Sequence, residues 1–139
     1  MRVEQNVLTL RTKGRGLYDV TDDVAAFVRH TKIERGICTV FIEHTSASLV
    51  VQENADPSVL RDLEKWIARI APEDADAYEH DAEGIDDMPA HLRSSITRAS
   101  ETFPVRGGAL ALGTWQAIYV WEHRRRAHER RVAVTVMGI

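Results

Sequence analysis

IEHTSASLVVQENADP, residues 42–57, joins a β-rich run to the start of a helix. It opens as an apolar strand and then sets His44, Thr45, Ser46 and Ser48 within five residues. A second apolar patch follows, and then Gln52, Glu53, Asn54 and Asp56. So much hydrogen-bonding capacity on a segment that otherwise reads as core has two explanations. The polar groups satisfy each other and the local backbone, or they face a ligand. At its end, Asp56 and Pro57 form a helix N-cap and first-position pair.

From there Leu60, Leu63, Trp66, Ile67 and Ile70 recur at helical spacing, which predicts a helix over 57–70. Upstream, 37–44 (ICTVFIEH) and 47–52 (ASLVVQ) read as strands, as does 3–11. Thr21 caps a predicted helix to about 32, with Asp22 and Asp23 in its positive first turn. Residues 71–88 are acidic and aperiodic, a length typical of functional or disordered connections. Pro89 opens a short helix over about 89–98, and Gly107-Gly108 marks a tight turn. The runs 117–123 and 131–137 read as two strands of a hairpin joined by RRRAHER. Interleaved strands and helices with short joints predict an α+β fold.

The 139 residues suit a single domain with a sizeable core. A formal charge of -3 provides no global field for nucleic acid. No apolar run is long enough to span a bilayer, and the opening MRVEQNVLTL does not read as a signal peptide. Cys38 is the only cysteine, so no internal disulfide forms, which suits a reducing cytoplasm. Phosphate-loop, dinucleotide, GxSxG and HExxH motifs are all missing, and His123 and His128 lack the cysteine pair of a zinc finger.

His44 ends a strand, His80 lies in the acidic connection, and His91 falls in the first turn of the predicted 89–98 helix. There the helix dipole disfavours an imidazolium and leaves a lone pair for a metal. These rings meet only through the tertiary fold; otherwise they are separate surface or core histidines. The acidic residues Glu79, Asp81, Glu83, Asp86 and Asp87 either solvate the loop or orient the imidazoles. Gln116, Ile118, Val120 and Glu122 share one strand face, so a buried Glu122 requires an arginine or a ligand amine. Arg124, first of the basic cluster 124–131, either belongs to a solvated turn or grips an anion. Trp115 reads as core more readily than as a ligand platform.

Three blocks, HTSASLVVQENADP (44–57), EGIDDMPAHLR (83–93) and LGTWQAIYVWEHR (112–124), together resemble the YjbQ-type family, over nearly the whole chain. The resemblance implies a compact single α+β domain with a folded mixed sheet forming a pseudo-barrel, assembled as a homotrimer. It also implies a thiamine-phosphate synthase-like transferase, joining hydroxymethylpyrimidine pyrophosphate to thiazole phosphate. The family's recurring histidines match His44, His80 and His91, expected to hold a divalent metal, zinc or magnesium. Ser46, Glu122 and Arg124 fall on recurring polar positions and are the expected catalytic groups. Thr45, Ser48, Asn54 and Gln116 are the expected contacts to a small phosphorylated metabolite. The DDMP at 86–89 differs from the Asn-Ala type of sequence in many relatives, which places variation at the site's rim. Two alternatives stand beside the transferase: a metal-dependent hydrolase of a small substrate, and a non-catalytic phosphometabolite-binding trimer.

Overall fold

The computed structural model describes residues 1–139. Its elements are β1 (Arg2–Arg11), β2 (Gly16–Asp19), α1 (Thr21–Thr31), β3 (Arg35–Ile42), β4 (Ala47–Glu53), α2 (Pro57–Ile70), α3 (Asp87–Ile96), β5 (Ser100–Arg106), β6 (Ala109–Leu110), β7 (Gln116–Glu122) and β8 (Glu129–Gly138). The strands form a five-stranded sheet, β1-β8-β3-β5-β6, and a three-stranded sheet, β2-β7-β4. Every pairing is antiparallel, where the resemblance implied a mixed sheet. The result is the expected α+β fold, a curled antiparallel sheet in the form of a half-barrel with three helices.

Strand alternation builds the interior. On β8, Val132, Val134 and Val136 point inward; on β3, Cys38, Val40 and Ile42 do so. Leu49, Ile118 and Val120 from the smaller sheet and Val24 and Val28 from α1 close over them in one apolar cluster. Burial pushes the Cys38 thiol up to about 12, so this residue is core and not a nucleophile. Gly36 and Gly138 face each other across β3 and β8, and a Cβ on Gly36 would lie 2.0 Å from the Met137 carbonyl oxygen. Gly36 lies inside β3, which begins two residues before the predicted run at 37.

The predicted hairpin does not form. β7 lies between β2 and β4, whereas β8 lies between β1 and β3, so residues 123–128 cross from one sheet to the other. Pairing between β4 and β7 is fixed by their shared apolar face, from Ala47↔Glu122 to Glu53↔Gln116. The Gly107-Gly108 turn is present, with φ of 58° and 72°, conformations that glycine adopts without a Cβ clash. The helix over 57–70 matches its prediction, and Asp56 accepts from the Ser58 N–H at 2.9 Å as its cap. Thr21 does not cap α1: its hydroxyl accepts from Ile118 N–H at 2.8 Å and ties the helix to the smaller sheet. No helix is long and apolar enough to cross a membrane.

Candidate metal site

Two histidines and one aspartate converge at the start of α3. The side-chain donors of His80, Asp87 and His91 all lie within 4.8 Å of one another. Asp87 and His91 are four residues apart on the helix, so they share a face one turn from each other. His80 reaches them from the 71–86 connection. Its Nε2 is 2.6 Å from Asp87 Oδ2, and His91 Nε2 is 3.3 Å from the same oxygen. The two rings stand edge to face with centroids 5.4 Å apart. The helix begins at Asp87, two residues before its predicted start, so His91 sits in the second turn.

Arg124 fixes the carboxylate from the other side. Its NH1 donates to Asp87 Oδ1 at 2.6 Å, its Nε to Asp86 Oδ2 at 3.0 Å, and its NH2 to the Glu83 carbonyl at 2.9 Å. Burial works to raise the Asp87 pKa, but the hydrogen bond from His80 and the positive charge of Arg124 outweigh it. The carboxyl is held below the usual carboxylate range and stays ionised at neutral pH. Arg124 thus donates to three acceptors of its own chain, the Asp87 carboxylate among them.

A second polar network lies beneath His44. Glu122 is fully buried and pairs with Arg130 through both carboxylate oxygens, at 2.8 and 2.6 Å. Thr12 Oγ1 donates to the same carboxylate at 2.7 Å, and Arg124 N–H does so at 3.2 Å. This is the arginine partner that a buried Glu122 required. Arg130 passes the network on to Ser46 Oγ at 2.9 Å, and Ser46 meets His44 Nδ1 through both its N–H and its hydroxyl, each at 3.0 Å. The polar groups of the 44–48 segment therefore do satisfy one another, in part. Burial and the nearby Arg130 charge lower the His44 pKa, so the ring is neutral at pH 7.

His44 stands outside the donor cluster of His80, Asp87 and His91. The remaining expected residues separate. Thr45 is exposed, and its carbonyl accepts from Ser94 Oγ on α3 at 2.6 Å. Ser48 is buried with its hydroxyl 2.9 Å from His123 Nε2, turned into the protein. Asn54 and Gln116 are exposed at the far end of the smaller sheet, where Gln116 Oε1 accepts from Gly113 N–H. β4 spans seven residues, roughly 20 Å at about 3.4 Å per residue, so these two lie far from Ser46 within one chain. Trp115, expected in the core, is 63% exposed.

The sequence offered Asp87 as a carboxylate that orients an imidazole but not as a metal ligand, and Arg130 only as a member of the basic cluster. Asp87 carries a signal, its four-residue spacing to His91, but a helix start placed at Pro89 left it outside. Arg130 carries another, since it alternates with Val132, Val134 and Val136 on the inward face of β8.

Residues 6–139 match the family described as UPF0047 protein YjbQ-like. This chain belongs to that family. It is 50% identical to the UPF0047 protein sll1880 of Synechocystis, over 99% of this chain and 93% of that one. It is 42% identical to the UPF0047 protein YjbQ of Salmonella typhimurium, over 96% and 97% of the two chains. An uncharacterized conserved protein of the YjbQ/UPF0047 family from Clostridium acetobutylicum, solved by crystallography, superposes with a TM-score of 0.88 at 32% identity, covering 95% of this chain and 99% of that one. These findings correct the activity expected from the resemblance. UPF0047 is a family of unknown function, and neither its description nor these relatives' names indicate thiamine-phosphate synthesis. For this YjbQ-like chain, a functional reading has to be built from the site itself.

Proposed function

We propose that the chain holds a divalent transition ion through His80, Asp87 and His91, and that the ion presents an open position to an anionic oxygen of a small phosphorylated metabolite. The observation that carries this reading is the convergence of three donors within 4.8 Å, with the carboxylate held by Arg124. Two imidazoles and one carboxylate suit zinc better than magnesium, which prefers oxygen ligands. Three protein ligands leave a coordination position free, and an ion of this kind supplies Lewis-acid character there. Arg124 on the outer oxygen plays the orienting part that outer partners play for metal ligands.

The His80–Asp87 distance of 2.6 Å is that of a hydrogen bond. Ligands around a tetrahedral zinc, with bonds of about 2.0–2.1 Å, stand about 3.3 Å apart. Binding therefore exchanges that hydrogen bond for two metal bonds, with a small outward movement of His80 on its connection. Self-association belongs to the same proposal, as the homotrimer implied by the resemblance. It is supported by the outward face of the larger sheet, where Val3, Met137 and Ile37 form one exposed apolar row and Val7 and Phe41 lie in another.

Calorimetric titration of chelator-treated protein with zinc tests the metal reading. One ion per chain is expected, with binding lost in Asp87→Ala and His91→Ala. Arg124→Ala should still bind, about 10–100-fold more weakly, as outer-partner substitutions do. Zinc binding undiminished in both ligand variants contradicts the proposal.

A further inference from the structure

We infer that His44 is the hydrogen-bond donor of this site, its Nε2–H directed at a phosphate-type oxygen of the ligand bound beside His80, Asp87 and His91. The inference rests on the metal reading above for the position of the ligand, and on hydrogen-bond geometry alone for the role of His44.

The decisive contact is the Ser46 backbone N–H, 3.0 Å from His44 Nδ1. A backbone N–H can only donate, so Nδ1 must carry a lone pair. Ser46 Oγ, also 3.0 Å from Nδ1, accepts from Arg130 NH2 at 2.9 Å and has its own proton free to donate to the ring. Nδ1 is thus an acceptor from two sides. A neutral imidazole with an unprotonated Nδ1 carries its proton on Nε2. The lone pair that a metal would need on the outward nitrogen is missing, which agrees with the position of His44 outside the donor cluster.

The tautomer is set by a buried chain. Glu122 holds Arg130 through two hydrogen bonds, Arg130 holds Ser46, and Ser46 holds the ring. A buried ion pair is thereby linked through Ser46 to an exposed histidine. His44 also sits beside α3: Ser94 Oγ bonds both the Thr45 carbonyl, at 2.6 Å, and the His91 carbonyl, at 3.1 Å. The loop bearing His44 is thereby pinned to the helix that carries Asp87 and His91. A fixed N–H next to a cation site selects a ligand with at least two anionic oxygens, one for the ion and one for the donor. Phosphate meets that requirement.

Nitrogen-15 NMR of the zinc-free protein reads the tautomer directly, and an unprotonated Nδ1 with a protonated Nε2 is expected. Two variants then separate the functions of the ring. His44→Asn keeps an acceptor for Ser46 N–H and loses the outward donor; His44→Gln retains an outward N–H. Both should bind zinc within about twofold of wild type, the agreement expected where no ligand is lost. With inorganic phosphate as probe, zinc-loaded His44→Asn should bind about tenfold more weakly and His44→Gln within about threefold of wild type. A protonated Nδ1, loss of zinc in His44→Asn, or equal phosphate binding by wild type and His44→Asn each overturns the inference. If wild-type protein takes up no zinc, the metal reading fails. The tautomer and the phosphate comparison in zinc-free protein then decide the role of His44 on their own.

Discussion

Asp87 is the residue on which the site turns. It is buried, meets two imidazoles through one oxygen and a guanidinium through the other, and stays charged because those partners outweigh its desolvation. Glu122 occupies a comparable place in the network below. Removing it strands Arg130, which is 2% exposed, as an unpaired buried cation. Glu122→Ala should therefore cost about 3–5 kcal/mol in denaturant unfolding, the usual result of breaking a buried pair; a loss under about 1 kcal/mol, typical of an exposed pair, contradicts this assignment. His123 makes a different prediction. Burial, then the charges of Arg93 and Arg130, push it down to about 3 from an ordinary 6.5, and its Nδ1 has no hydrogen-bond partner. The unfolded chain takes up this proton near pH 6.5, whereas the folded chain resists it until about 3. Its contribution is fully present above pH 6.5 and is lost as pH falls toward 3, with an upper bound of about 5 kcal/mol. Thermal melts between pH 7 and 4.5 should thus show a flatter pH dependence in His123→Gln than in wild type, and parallel curves contradict the role given to His123.

At the scale of elements, the most legible parts were those with a strong period or a punctuating residue. The helix over 57–70 announced itself through apolar spacing and the Asp56-Pro57 start, and the Gly107-Gly108 turn through its glycines. What was not legible was partnership. Two β-rich runs separated by RRRAHER look like a hairpin, because sequence shows strands but not the sheet each one joins. Here β7 finds β4 and β2, and β8 finds β1 and β3, since each buries a different apolar face. That crossing sends Arg124 to α3 and Arg130 into the interior, two fates that a basic cluster does not reveal. The histidines at 80 and 91 were legible as candidates, but Asp87 became a candidate ligand only once α3 began there. Gly36 gives the element-scale test. Gly36→Ala places a Cβ against the Met137 carbonyl, so β3 and β8 must separate locally. The variant should lose about 1–3 kcal/mol, as overpacked sites do, with amide exchange faster along both strands; wild-type exchange there contradicts the close approach.

Across the whole molecule, the half-barrel separates two surfaces by role. The inner face of the larger sheet is filled by valines, α1 and the smaller sheet. Its outer face carries Val3, Val7, Ile37, Phe41 and Met137, each exposed in the isolated chain. Rows of apolar side chains on a regular sheet cost little to cover with another copy and much to leave in water. Light scattering should therefore report a trimer for the wild type, and Phe41→Asp should shift it toward the monomer; a monomeric wild type contradicts the assembly proposed here. Zinc binding by a monomeric variant would place all three ligands within one chain, as the geometry of His80, Asp87 and His91 requires.

Anomalous diffraction from a zinc-soaked crystal is the most direct test of that arrangement. One peak per chain is predicted, about 2.0–2.2 Å from His80 Nε2, His91 Nε2 and one oxygen of Asp87, with His44 outside bonding distance. A peak on His44, or zinc bound elsewhere with the three donors unoccupied, contradicts the account.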